Sequence, residues 1–163
     1  MLRAAASAFF FALFFIAGCA QQPLAKAPGS QEAASWRGRL ALRIDSPEPS
    51  SFFASFELTG QARAGELLLS GPLGNVIASL RWTPQAAFLR NNGETRQFDS
   101  LDALATEATG TAIPIAALFQ WLDGRDVAAA GWQADLSQLA QGRLLARRTH
   151  PEPVAELRLI LEP

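Results

Sequence analysis

The 163-residue chain has one cysteine, Cys19, and one histidine, His150. A thiolate is a strong nucleophile. Cys19 stands directly behind Ile16-Ala17-Gly18, where an apolar run over residues 4–17 stops. Small residues let the backbone enter a peptidase site, and the thiolate beside them can accept a diacylglyceryl group. A lone cysteine also excludes an internal disulfide and, once acylated, leaves no thiol for a metal. His150 lies in Thr149-His150-Pro151-Glu152-Pro153, a loop sequence without a Ser/Asp or Cys arrangement around it, so no catalytic role is read for it. No metal-ligand spacing, phosphate-cradling glycine loop or paired acid motif stands out. The expectation is a protein that is not an enzyme and uses no cofactor.

The residues around Cys19 define a leader. Residues 1–18 open with Met-Leu-Arg and continue in an apolar stretch shorter than the roughly 20 residues a spanning helix needs. They are predicted to be a signal peptide removed before Cys19, and Ile16-Ala17-Gly18-Cys19 resembles the lipobox of bacterial lipoproteins. One acyl chain holds a protein only reversibly, while two or more hold it firmly. Ala20 and Gln21 follow the cysteine. The Asp that resembles an inner-membrane retention signal is absent there, which favours the outer membrane. Residues 19–35, rich in Ala, Gln, Pro and Gly, read as a flexible tether. Residues 36–163 are left as a single domain.

Composition narrows the class further. The formal net charge is −1, so nothing suggests a nucleic-acid footprint. Hydrophobic residues make up 49% of the whole chain, and the four Trp and the six Phe that lie beyond the leader can supply a core for one domain.

From Trp36 the hydrophobic period is two, which marks strands. Trp36, Gly38, Leu40, Leu42 and Ile44 alternate with polar positions, and Ser46-Pro47-Glu48-Pro49 breaks the run. Phe52, Ala54, Phe56 and Leu58 mark a second strand, a turn spans Gly60 to Gly65, and Leu67 and Leu69 share a face of a third. Gly71-Pro72-Leu73-Gly74 is a turn. Val76, Ala78, Leu80 and Trp82 alternate in the next strand, and Asn91-Asn92-Gly93 centres a hairpin. The period then switches to about 3.6. Asp99 or Ser100 can cap a helix ending at Gly110, and a second helix starts near Pro114 and stops at Gly124. Strand patterns return at residues 132–136, 143–149 and 154–161. Helices confined to one block imply α+β. The expected architecture is an unclosed antiparallel β-barrel, a curved sheet of about 9–11 strands, with short helices covering an apolar cavity.

These residues also carry a resemblance. Trp36-x-Gly38-x-Leu40-Ala41-Leu42, the Phe-rich second strand, residues 67–74 (LLLSGPLG), residues 109–115 (TGTAIPI) and residues 118–124 (LFQWLDG) resemble the LolB family of outer-membrane lipoprotein receptors. The resemblance is good over residues 36–126 and weaker beyond. It implies a lipid-anchored, periplasm-facing, monomeric receptor. Such a receptor accepts cargo lipoproteins from the soluble carrier LolA, holds their acyl chains in an apolar hollow and places them in the outer membrane. It also implies that the loop Pro72-Leu73-Gly74 presents an apolar residue to the membrane. The candidate hollow-lining residues are Leu40, Leu42 and Phe56, Leu67, Leu69 and Leu80, and Trp82, Leu118 and Trp121. For Trp36, Trp82, Trp121 and Trp132, packing in the core is the other reading. Arg37, Arg39 and Arg43 read either as a solvated strand face or as a basic edge that meets an acidic carrier. Two other classes stay open: a membrane-anchored binder of another lipid or hydrophobic small molecule, and a structural partner of outer-membrane machinery with a filled core.

Overall fold

A computed structural model describes residues 34–163; the leader, Cys19 and nearly all of the tether lie outside the described residues. Six strands come first: β1 (Ala34–Asp45), β2 (Ser50–Gln61), β3 (Ala64–Ser70), β4 (Val76–Trp82), β5 (Ala87–Asn91) and β6 (Glu94–Phe98). Two helices follow, α1 (Leu101–Thr109) and α2 (Ile115–Leu122), and then β7 (Trp132–Asp135), β8 (Arg143–Arg148) and β9 (Val154–Leu161). A 3₁₀ turn at Leu139–Gln141, which no periodicity announces, connects β7 to β8.

All nine strands join one sheet in the order β6-β5-β4-β3-β2-β1-β9-β8-β7. Every neighbouring pair is antiparallel. The two halves of the chain meet where β9 pairs with β1, and β6 and β7 are the two edges of the sheet, not paired with each other, so the barrel is not closed. Gly38 makes that central seam possible: a Cβ there would collide with the carbonyl of Ile160 on β9.

The period-two pattern sets the inner face. Leu42, Ile44, Phe56, Leu58, Leu67, Leu69, Leu80, Leu157 and Leu159 are buried, while their neighbours along each strand point outward. The helices cover this face to different degrees. Ser100 caps α1, its hydroxyl accepting from the Ala103 N–H at 3.1 Å, and Gly110 ends it with a left-handed φ of 74°. Of α1 only Leu104 and Ala105 are buried, whereas α2 buries Ile115, Ala117, Leu118, Phe119, Trp121 and Leu122.

Several sequence expectations are corrected. The turn expected over Gly60 to Gly65 shrinks to Ala62 and Arg63, because Gly60 pairs with Gly65 and Gln61 with Ala64. Val76 is 57% exposed and not inward, because a register shift at Leu69/Ser70 breaks the alternation at the start of β4. Pro114 caps α2 and the helix begins at Ile115, the first turn closing through the Leu118 N–H to the Pro114 carbonyl at 2.9 Å. Arg37, Arg39 and Arg43 do not lie on an edge, since β1 is hydrogen-bonded on both sides; they stand on the outer face of a central strand.

Candidate functional site

Two features stand out: a hollow under the helices and a loop at one end of the sheet. The hollow lies between the inner face of β1–β4 and β9 and the helix block. Leu40, Leu42, Phe56, Leu67, Leu69, Leu80 and Leu118 border it, together with Phe52, Ala105, Thr109, Ile113, Ile115, Leu157 and Leu159. Its volume is about 30 Å³, room for a water molecule or so and not for an acyl chain. Thr109 is the one polar lining residue, and its hydroxyl is occupied locally, 2.8 Å from the carbonyls of Ala105 and Thr111. Nothing in the wall can act as an acid, base or nucleophile. The wall offers only non-directional apolar burial. Leu40, Phe52 and Thr109 are the lining residues that keep some exposure, which puts the opening between β1–β2 and the C-terminal end of α1.

Trp82 and Trp121, taken from the sequence as candidates for the lining, are fully in the core but do not border the hollow. The physical reason is the indole N–H, which must find an acceptor when buried. Trp82 donates to the Gln61 carbonyl at 3.1 Å and Trp121 to the Val127 carbonyl at 2.7 Å. Trp132 does the same with Ala112 at 2.8 Å. Phe119 of α2 meets both Trp36 and Trp82 edge-on, at ring distances of 5.6 and 6.1 Å. This aromatic group seals the end of the barrel nearest the β2–β3 turn. Phe52 borders the hollow and was not singled out beforehand; its place on the inward face of β2, two residues before Ala54, was the available signal.

The loop over residues 71–75 leaves β3 at the opposite end. The Gly74 N–H donates to the Gly71 carbonyl and the Gly71 N–H to the Asn75 carbonyl, both at 2.9 Å. Pro72 fits the second position of this turn, and Gly74 adopts a φ of 80°, which a residue without a Cβ takes freely. Leu73 is carried on the tip and is 94% exposed, the highest value among the exposed large hydrophobic residues described. It does not fold back onto the core.

A family model described as "Outer membrane lipoprotein LolB" matches residues 33–152. The chain belongs to the LolB family. Its relatives include the outer-membrane lipoprotein LolB of Bordetella petrii, 32% identical over 83% of this chain and 81% of that protein. The LolB of Bordetella pertussis is 32% identical over 88% of this chain and 84% of its own length. The LolB of Dechloromonas aromatica is 34% identical over 68% of this chain and 60% of its own. The match takes in all of β1–β8, including the helix block, the Leu73 loop and every residue of the hollow's wall except Leu157 and Leu159 of β9.

Proposed function

We propose that this LolB-family chain is an outer-membrane lipoprotein receptor: it takes lipoproteins from the periplasmic carrier LolA and places them in the outer membrane. In this reading residues 1–18 are a cleaved signal peptide, Cys19 carries the acyl chains, residues 19–35 tether the domain, and residues 36–163 bind cargo. The observation that carries it is the hollow lined by apolar side chains save Thr109, under a lightly held α1, set in the same domain as an exposed Leu73.

Cargo acyl chains resist crossing water, because each exposed methylene costs about 0.8 kcal/mol. A hollow of about 30 Å³ must widen to receive them. The helix with less buried surface is the part that gives way, so α1 moves off the sheet while α2 stays pinned by Phe119, Trp121 and Leu122. Transfer without an energy source runs down a ladder of affinities, from carrier to receptor to bilayer. Leu73 is suited to the last step. Burying one Leu contributes roughly 1.5–3 kcal/mol, too little to anchor the protein and enough to turn the opening toward lipid.

The test uses the chain from residue 19 with Cys19→Ala, so that its own lipid does not interfere. It is mixed with LolA loaded with a labelled lipoprotein. Movement of the label to this chain is the expected result. If the label stays on the carrier while a free fluorescent fatty acid still binds, the chain is a binder of some other lipid.

A further inference from the structure

We propose that the outer face of β2, β1, β9 and β8, on the half of the sheet that carries the Leu73 loop, lies against an anionic phospholipid surface. Phe53 is its second apolar contact, and Arg39, Arg43 and Arg143 are its cations. The inference rests on the reading of Leu73 as lipid-facing and extends the contact from one loop tip to a whole face.

The strand register fixes the placement. Ser70, the last residue of β3, lies opposite Ser55 of β2; Ser55 lies opposite Arg39 of β1; and Arg39 lies opposite Ile160 of β9. Those pairings draw a line across the sheet, and the 71–75 loop starts beyond it. Phe53 is two residues past Ser55 on the same side of the line, on the strand adjoining β3. Strand spacing and rise put its backbone on the order of 10 Å from that loop. Val76 sits on the line, and Val154, opposite Asp45, lies beyond it. Thus Phe53, Leu73, Val76, Val154 and Ile160, the exposed large hydrophobic residues among those described, all fall on or past one line.

Phe53 is the least expected of them. It is 69% exposed on a central strand, facing Ala41 across the pair with β1. The small Ala41 leaves a shallow hollow of about 350 Å³ beside the ring, bordered by Arg43, Ser51, Glu156 and Arg158. Around it the same face carries Arg39, Arg43, Arg143, Arg147 and Arg158 against Glu156 and Asp45. Glu156 holds two of these arginines, Arg147 at 2.7 Å and Arg158 at 2.6 Å. Arg39, Arg43 and Arg143 have no carboxylate partner among the described residues. The formal charge of the whole chain is −1, so the positive charge here is concentrated rather than general.

The chemistry favours lipid over protein. A protein–protein interface has a charge-depleted apolar centre with polar groups at its rim. Here Phe53 stands beside Arg43 and Arg158, and Ile160 lies between Arg39 and Arg143 on the neighbouring strands. That pattern fits a bilayer interface: apolar groups enter the acyl boundary, and guanidinium groups snorkel to headgroup phosphates.

The test measures co-flotation of the chain from residue 19, with Cys19→Ala, on vesicles of phosphatidylcholine alone and of phosphatidylcholine mixed with phosphatidylglycerol. Wild type is expected to prefer the mixed vesicles and to lose that preference in high salt. Phe53→Ser should weaken binding to both by about tenfold, and Phe53→Trp should restore it. Arg39→Gln and Arg43→Gln should each weaken binding to the mixed vesicles alone by about fivefold. Phe53 and both arginines are solvent-facing, so these variants keep the fold. If Leu73→Glu abolishes flotation while the Phe53 and Arg variants float as wild type, the face is not a lipid contact, and the receptor reading stands. If those variants float normally but take label from loaded carrier more slowly, the face meets an acidic protein and the lipid assignment is overturned.

Discussion

β3 is flanked by two turns that do opposite things. At its start, the Ala62-Arg63 turn exposes no large apolar side chain, and the sheet beneath it is closed by Trp36, Phe119 and Trp82, with the Trp82 indole bonded to the Gln61 carbonyl. At its end, the 71–75 loop holds Leu73 out in solvent, beside the half of the sheet where the other exposed apolar groups lie. One end spends its aromatic residues on holding α2 to the sheet. The other leaves apolar surface unburied, at a cost in solubility that a partner or a bilayer must relieve. If the Leu73 end serves delivery, as proposed, stability and delivery are separable, and mutations at the two ends should split them.

The largest stability effect is expected at the sealed end. Phe119→Ala removes a buried ring that touches two tryptophans and should cost about 3–5 kcal/mol in denaturant unfolding, with take-up of cargo falling only because folded protein is lost. At the open end, Leu73→Glu should leave unfolding within about 0.5 kcal/mol of wild type. It should weaken delivery to vesicles by the roughly 1.5–3 kcal/mol that Leu burial contributes. A Leu73→Glu protein that unfolds markedly earlier would mean that the loop is part of the core, and the division would fail.

Smaller effects sharpen the comparison. Thr111, between α1 and α2, is 3% exposed, and its hydroxyl has no hydrogen-bond partner among the described residues. Thr111→Val replaces an unsatisfied polar group with an isosteric methyl and should stabilise by about 1 kcal/mol. The smallest effect concerns Glu156. Hydrogen bonds from Arg147, and then from Arg158, hold its carboxyl below the usual range despite partial desolvation. A pKa depressed in the folded state gives stability that is present above the unfolded value and is lost as pH falls through the folded one. The arginines are well exposed, so the pairs should contribute only about 0.2–1 kcal/mol. Glu156→Gln should lose that much at neutral pH, and the difference from wild type should vanish in acid once the wild-type carboxyl is protonated too.

Much of this was legible in residue order. The nine strands, the helix block and its caps follow from period two, period 3.6, Ser100 and Gly110, because each is a local signal. The turn at Leu73 was also legible, since Pro72 and Gly74 specify it. What stayed hidden was long-range. The pairing of β9 with β1 turned an apparent basic edge into the outer face of a central strand. The register shift at Ser70 turned Val76 outward. Trp82 and Trp121 left the lining because of carbonyls at Gln61 and Val127 that no pattern in the sequence brings near them. Cys19 was read from its own neighbourhood and lies outside the described residues.

In the proposed function, this chain holds acyl chains in its hollow and Leu73 acts in letting them go. The direct measurement loads wild type and Leu73→Glu with a labelled lipoprotein, adds phospholipid vesicles, and follows the label. Equal loading is expected, with prompt transfer from wild type and retention on Leu73→Glu. Equal transfer from both proteins would contradict the proposal.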